Sequence, residues 1–242
     1  MLLANRTARR LNVNSEALWN AVLVAILAAF VASRLAMVVL HWDDFIHFPV
    51  LVLAASTLTT RAGYIAGTLC GLAAGFSYML LKHMPMLRTL DALAPALALA
   101  EGITSLGAFA AGSAYGCPTS APWAVTFHAK YATLWAGTPL NVALHPTQLY
   151  ACAASLGICG LLLWMLQGSP QPGEILGGWL FLEGVSSFVV DLYHADAVRT
   201  PLFNTALSMT QGIALVMILG GAALWLNGSK ESNKTSAVPL AI

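Results

Sequence analysis

The chain has 242 residues, of which 58% are apolar and only 9% are charged, and its formal net charge at pH 7 is +1. Its mean hydropathy of +0.75 excludes a small water-soluble domain, because such a domain could not bury so much apolar surface. The small net charge without a basic block excludes an electrostatic surface for nucleic acid, and no glycine-rich phosphate loop supports nucleotide chemistry.

The first predicted element is a basic flank, residues 1–16, which carries three arginines ahead of a long apolar run. This order resembles the start of a signal peptide. However, the apolar run continues to Leu40 and lacks a convincing small-residue cleavage site. We therefore interpret residues 1–16 as the flank that orients a first membrane helix.

Apolar runs dominate the rest of the chain, and a helix needs about 20 such residues to cross the hydrocarbon layer. Six runs of that kind are 17–40, 62–82, 89–112, 148–167, 174–193 and 204–226. A seventh run, 49–59, is too short to span alone, so it either re-enters the membrane or extends into a tilted span. Because no alternating ten-residue strands occur, we predict an all-α polytopic bundle of six to seven transmembrane helices.

One long break interrupts the predicted transmembrane domain, which covers 17–226. Residues 113–147 contain repeated prolines and scattered aromatics but few charges. Loops of this length are usually functional or disordered, and this composition argues against disorder, so we expect an ordered loop that carries part of a site. The last residues, 227–242, are rich in Ser, Asn and Lys and are predicted to be a disordered tail.

The second long run carries glycine at every fourth position, namely Gly63, Gly67, Gly71 and Gly75. This spacing places the four residues on one helix face. A stripe of small residues lets a neighbouring helix backbone approach closely, so we predict a packing role for it.

Ionisable side chains at membrane depth point more directly to function, because each costs about 2.5–3.5 kcal/mol at the centre of a membrane helix. Four of them are Arg34, Glu101, Glu183 and Asp191. Glu183 and Asp191 are eight residues apart and share a helix face. These groups, together with Ser, Cys, Asn and Gln on the last helices, predict a polar chamber inside the bundle. The alternative is that the uncharged residues only form hydrogen bonds between helices, each worth about 0.6 kcal/mol.

The four cysteines have no CxxC spacing, and three of them lie in apolar runs, so they are interpreted as small apolar residues. We predict no cofactor and no metal site.

The segment that runs from His145 to Tyr150, HPTQLY, places an imidazole, an amide and a phenol at the start of a predicted helix. It resembles the HPSQLY motif of the prolipoprotein diacylglyceryl transferase family. Upstream, the glycines, prolines and aromatics between Gly107 and Trp123 are similar to the GRIGN-containing segment of that family. Further matches follow in family order, so the resemblance covers nearly the whole predicted membrane part.

The resemblance implies a multi-pass inner (plasma) membrane enzyme of lipoprotein biosynthesis. Members of that family transfer a diacylglyceryl group from phosphatidylglycerol to the cysteine thiol of a precursor lipoprotein and release glycerol phosphate. The implied partners are therefore phospholipid and the signal peptide of the precursor. The predicted catalytic residues are His145, Gln148, Tyr150 and Asp191. The predicted substrate-binding residues are Arg34, Arg61, Gly116 and Glu183, with the two arginines as contacts for phosphate.

This chain departs from the family pattern at several charged positions. Ser105, Ala108, Ser113 and Ser187 stand where the family has arginine, asparagine, glutamate and arginine. Two explanations stay open: transfer chemistry with relocated charges, or a non-catalytic protein of the same fold that binds phospholipid or a partner. A transporter-like bundle would need broken helices and an internal repeat, and the sequence shows no repeat between its halves.

Overall fold

The computed structural model describes residues 2–47, 61–195 and 207–236, and the predicted short run at 49–59 falls wholly outside them. The described part is mainly helical. Its helices are α1 (Leu2–Arg10), α2 (Ser15–Leu40), α3 (Trp42–His47), α4 (Arg61–Leu81), α5 (Met86–Ala111), α6 (Lys130–Ala136), α7 (Thr147–Met165), α8 (Glu174–Asp191) and α9 (Met209–Ser236). Two short strands, β1 (Val125–Thr126) and β2 (Ala143–Leu144), pair antiparallel.

Five of the described helices, α2, α4, α5, α7 and α9, are long and apolar enough to cross a membrane. The run predicted at 174–193 also folds as a helix, α8, in which Glu174, Glu183 and Asp191 add three carboxylates to an apolar sequence. The prediction of an all-α polytopic bundle is confirmed, and the chain is a multi-pass membrane protein.

The chain divides into two compact units, Met1–Thr89 and Leu90–Ile242. The residues grouped by sequence as one domain, 17–226, fall in both units. α9 continues to Ser236, so the predicted tail at 227–242 is helical over its first part, and its last six residues lie outside the described ranges.

In the first unit, α2 packs along α4 through the predicted glycine stripe. A Cβ atom added at Gly71 would lie 2.8 Å from the Ala29 Cβ and 2.9 Å from the Ala25 carbonyl oxygen. A Cβ added at Gly67 would lie 2.8 Å from the Ala29 carbonyl oxygen. The predicted packing role is therefore confirmed at these positions, because only glycine lets the two backbones come this close.

In the second unit, α8 and α9 use the same device. A Cβ at Gly177 would lie 2.7 Å from the Trp225 backbone nitrogen, and one at Gly184 would lie 2.8 Å from the Ala214 carbonyl oxygen. The start of α8 is anchored by a carboxylate on another helix: Asp91 of α5 accepts hydrogen bonds from the backbone N–H groups of Gly173, at 2.7 Å, and Leu176, at 2.8 Å.

The break at 113–147 is an ordered segment, as expected. It contains β1, α6 and β2, and Tyr115 and Leu144 from it are buried together with Ala195. The segment thus packs against the residues that directly follow α8, and this packing positions the site described next.

Candidate functional site

Three stretches of backbone meet at one place in the second unit, and Gly116 lies between them. Its N–H donates to the carbonyl of His145, while the N–H of Cys117 donates to the carbonyl of Tyr193 at 2.8 Å. The N–H of His145 donates back to the carbonyl of Cys117 at 3.0 Å. These backbone hydrogen bonds therefore hold the long loop against the residues just before α7 and against the residues that follow α8.

Gly116 is required at this junction for a steric reason. A Cβ there would lie 2.6 Å from the Cβ of His145 and 2.8 Å from the carbonyl oxygen of Tyr193. Any larger residue would push His145 and Tyr193 apart. The resemblance assigned Gly116 to substrate binding. In the structure, Gly116 sets the spacing between His145 and Tyr193.

Four side chains at this junction form what we call the aromatic group: Trp123, His145, Tyr150 and Tyr193. The Trp123 Nε1–H donates to the Tyr150 hydroxyl at 2.7 Å, and the same hydroxyl lies 3.1 Å from the His145 Nδ1. The rings of His145 and Tyr193 meet edge to face with centroids 5.1 Å apart. Trp123 is 60% exposed, so the group opens to its surroundings on one side.

A second set, the carboxylate group, consists of Asp191, His194, Ser208 and Gln211. Asp191 is only 2% exposed, and its Oδ2 accepts a hydrogen bond of 2.6 Å from the Ser208 hydroxyl. The Asp191 Oδ1 lies 3.7 Å from the Nδ1 of His194, whose side chain is 19% exposed. Gln211 fixes Ser208 from two directions: its Oε1 accepts from the Ser208 N–H at 3.1 Å, and its own N–H donates to the Ser208 hydroxyl at 3.0 Å.

The interior of the second unit holds two further polar residues from the predicted site. Glu183 accepts a long hydrogen bond, 3.5 Å, from the Ser155 hydroxyl at one oxygen, and its Oε2 accepts none from the described residues. Gln148 donates to the Ser113 carbonyl at 2.6 Å, and its Oε1 likewise accepts none within the described part of the chain. Each buried residue thus keeps one acceptor oxygen that can receive a further donor.

The predicted site residues therefore separate into distinct places. His145 and Tyr150 come together, as the HPTQLY segment implied, and Gly116 lies beside them, whereas Asp191 lies with His194 in the carboxylate group. Gln148 and Glu183 are buried inside the second unit. Arg34 is half-buried on α2 and Arg61 begins α4, both in the first unit. The roles assigned to all eight residues, and the lipid-accessible chamber, stay predictions.

Five residues of these groups were absent from the predicted set: Trp123, Tyr193, His194, Ser208 and Gln211. His194 follows Asp191 by three residues, a spacing that brings side chains together on a helix, so the sequence carried a signal for it. Tyr193 reaches His145 only because both flank Gly116, and no local pattern predicts that contact.

The second unit is poor in cations over its described residues. Between residues 90 and 195, Lys130 is the only lysine or arginine, and it is exposed. Ser105 is 7% exposed, and the hydroxyl of Ser113 donates to the carbonyl of Ala108 at 3.4 Å. Apart from Lys130, the hydrogen-bond donors for an anion between residues 90 and 195 are therefore uncharged amide, indole, hydroxyl and backbone N–H groups, together with imidazole.

Comparison with known proteins gives one consistent result. The family model described as prolipoprotein diacylglyceryl transferase matches residues 1–227. The chain is 26% identical over 223 residues to the phosphatidylglycerol–prolipoprotein diacylglyceryl transferase of Clostridium tetani, covering 91% of this chain and 84% of that protein. It is 24% identical over 237 residues to the protein of that name from Clostridioides difficile, covering 96% and 87%. For the one from Synechococcus elongatus, the identity is 26% over 236 residues, covering 95% and 80%.

Proposed function

Because the chain belongs to the prolipoprotein diacylglyceryl transferase family, we propose that it transfers a diacylglyceryl group from phosphatidylglycerol to the cysteine thiol of a precursor lipoprotein. The observation that carries this proposal is the family match over residues 1–227, supported by similar proteins of that name which are covered over most of their length. The donor lipid and the signal peptide of a secreted precursor are both embedded in the inner (plasma) membrane, where we place the reaction.

The reaction sets two chemical requirements. The sulfur of the acceptor cysteine attacks the glyceryl carbon, a C–S bond forms, and the C–O bond to the phosphate breaks. Glycerol phosphate then leaves with the electron pair of that bond. A thiol is a good nucleophile only as the thiolate, so a group must accept its proton. The phosphate must meet positive charge or hydrogen-bond donors as its own charge develops.

For the proton we propose Asp191 and His145, each with a different kind of support. Asp191 is a buried carboxylate held by Ser208, and it lies beside the partly exposed ring of His194, so it can accept a proton at a place that the imidazole connects to the surroundings. His145 has its Nδ1 in contact with the Tyr150 hydroxyl, which leaves its other ring nitrogen for a substrate. Tyr150 and Gln148 then act by positioning: Tyr150 fixes the ring of His145, and Gln148 holds the loop at Ser113.

For the lipid we propose contacts with the four residues predicted from the sequence to bind substrate. Arg34 and Arg61 remain the proposed contacts for the phosphate, because the guanidinium fork matches phosphate oxygens. Gly116 sets the space between His145 and Tyr193. Glu183 contributes its unused oxygen as an acceptor for a lipid or peptide donor.

Complementation tests the proposed activity. A bacterial strain depleted of its own transferase would express this chain, and mass spectrometry would follow the gain of a diacylglyceryl group on a precursor lipoprotein. We expect growth and modification with the natural chain. The Asp191→Asn substitution should lower modification by about a hundredfold or more, a loss typical of removing acid–base catalysis. Lys130→Gln, an exposed change in the same unit, serves as the matched control and should retain activity.

A second candidate is a phospholipid-binding protein of the same fold without transfer chemistry. It is favoured because small uncharged residues stand at four positions where the family pattern has charged or amide side chains, namely Ser105, Ala108, Ser113 and Ser187. This candidate predicts no modified precursor at good membrane expression, with phospholipid still copurifying with the chain. Modification by the natural chain would exclude it.

A further inference from the structure

A groove of about 370 Å³ lies between α1 and the start of α2, within the first unit. It is lined by side chains of mixed chemistry, which include Leu2, Asn5 and Arg9 from α1 and Ser15, Glu16 and Trp19 from α2. None of these residues belongs to the aromatic group or to the carboxylate group. The groove is therefore a feature that the proposed transfer reaction does not use.

The position of the groove along α2 places it at the membrane interface. α2 is a candidate membrane span, and from Trp19 onward many of its large apolar side chains are exposed, among them Leu23 and Ile26. α1 buries Ala4 and Ala8 against the protein while its three arginines stay exposed. A basic amphipathic helix joined to a spanning helix by a short turn lies among the lipid headgroups, where tryptophan is also favoured.

The polar groups of the groove specify what it can bind. Arg9 is exposed and offers a guanidinium fork that matches the oxygens of a phosphodiester. The Asn5 Oδ1 is buried and accepts no hydrogen bond from the described residues. A buried acceptor without a donor costs about 1–3 kcal/mol. The Glu16 carboxylate adds a second acceptor, so the groove favours a ligand that carries hydrogen-bond donors next to a phosphate.

We propose that this groove binds the headgroup of a membrane phospholipid, with the phosphate on Arg9 and the donors of the headgroup directed at Asn5 and Glu16. Phosphatidylglycerol, through its hydroxyls, and phosphatidylethanolamine, through its ammonium group, share this chemistry. Phosphatidylcholine has the same phosphate, but its methylated nitrogen has no N–H to donate. The proposal concerns binding alone and does not depend on the transferase activity.

Native mass spectrometry of the full chain in detergent, titrated with each of the three lipids, tests this assignment. We expect phosphatidylglycerol or phosphatidylethanolamine to bind about tenfold more tightly than phosphatidylcholine, since hydrogen bonds to charged groups are worth about 1.5–3 kcal/mol. Arg9→Gln should lower the affinity for the preferred lipid about tenfold. Because Arg9 is exposed, this variant should keep the fold. Arg10→Gln removes the same charge from the same helix outside the groove lining and should leave the affinity unchanged.

A second variant isolates the role of the headgroup donors. Asn5→Leu should weaken the preference over phosphatidylcholine while the variant still binds lipid, and circular dichroism checks that its helix content is retained. Equal losses in Arg9→Gln and Arg10→Gln would show that only net charge matters and would overturn the proposal. Equal binding of all three lipids to the natural chain would overturn it as well. An inactive transferase with an intact lipid preference would contradict the proposed function and leave this inference standing.

Discussion

Two helix pairs of this protein, α2 with α4 and α8 with α9, are packed by the same device and yet differ in what they carry. In both pairs, glycines allow backbone contact, as at Gly71 against Ala25 and at Gly177 against the Trp225 nitrogen. Over their described residues, α2 and α4 bury no polar side chain, whereas α8 and α9 bury Glu183, Asp191 and Gln211. A stripe of small residues therefore indicates close packing only, and the buried polar side chains beside it distinguish a candidate site from a structural contact.

The largest effect is expected at the buried anchor of α8. Asp91→Ala would leave the N–H groups of Gly173 and Leu176 without their acceptor in a buried place. At about 1–3 kcal/mol for each unsatisfied group, we expect a loss of roughly 2–6 kcal/mol in the free energy of unfolding, measured by titration with a denaturing detergent.

Asp91→Asn is the matched control for that change. It keeps one acceptor oxygen at nearly the same volume, so its loss should be about half as large. If the alanine variant unfolds at the same detergent concentration as the natural chain, the anchor does not stabilise α8, and the two helix pairs are more alike than the structure indicates.

The next effect compares neighbouring glycines of α9. A Cβ at Gly221 would meet the backbone of α8 at the Phe181 nitrogen and at the Gly177 carbonyl oxygen, whereas a Cβ at Gly220 would meet no atom within 4 Å. Gly221→Ala should cost about 1–3 kcal/mol through overpacking. Gly220→Ala should be neutral or stabilising by up to about 1 kcal/mol, because alanine favours the helix. Equal unfolding temperatures for the two variants would contradict backbone contact between α8 and α9.

The same comparison in the first unit uses Gly71 and Gly75. A Cβ at Gly71 would lie 2.8 Å from the Ala29 Cβ, whereas the nearest atom to a Cβ at Gly75 would be the Ala25 Cβ at 3.2 Å. Gly71→Ala should therefore destabilise the chain by about 1 kcal/mol or more, and Gly75→Ala by less. Thermal unfolding of the purified variants would measure the difference, and a larger loss at Gly75 would contradict the register of α2 against α4.

Features with a local period could be predicted from the sequence. The spacing of the glycines predicted which face of α4 packs, because the helix period fixes the face before any partner is known. The high cost of ionisable groups in lipid predicted that Glu183 and Asp191 would face the inside of the protein, and both are buried. His145 and Tyr150 are five residues apart in the HPTQLY segment, so their contact is also local in the sequence.

Contacts between distant parts of the sequence could not be predicted in this way. Asp91 anchors residues 82 and 85 positions further along the chain, and nothing in its neighbourhood indicates that role. The pairing of His145 with Tyr193 depends on the backbone of Gly116 between them. By contrast, α1 did carry a local signal, since the buried Ala4, Thr7 and Ala8 follow helical spacing, but the basic flank was interpreted through its charge alone.

The smallest effect is expected where α2 begins, at a cap that is exposed rather than buried. Asn14 accepts hydrogen bonds from the backbone N–H groups of Glu16, at 3.0 Å, and Ala17, at 3.1 Å. Water can replace these bonds, so Asn14→Ala should cost only about 1 kcal/mol, and Asn14→Ser, which preserves a capping oxygen, should cost less. If Asn14→Ala costs as much as Asp91→Ala, burial does not explain the difference between the two caps. The contrast between the helix pairs would then rest only on the buried carboxylates of α8.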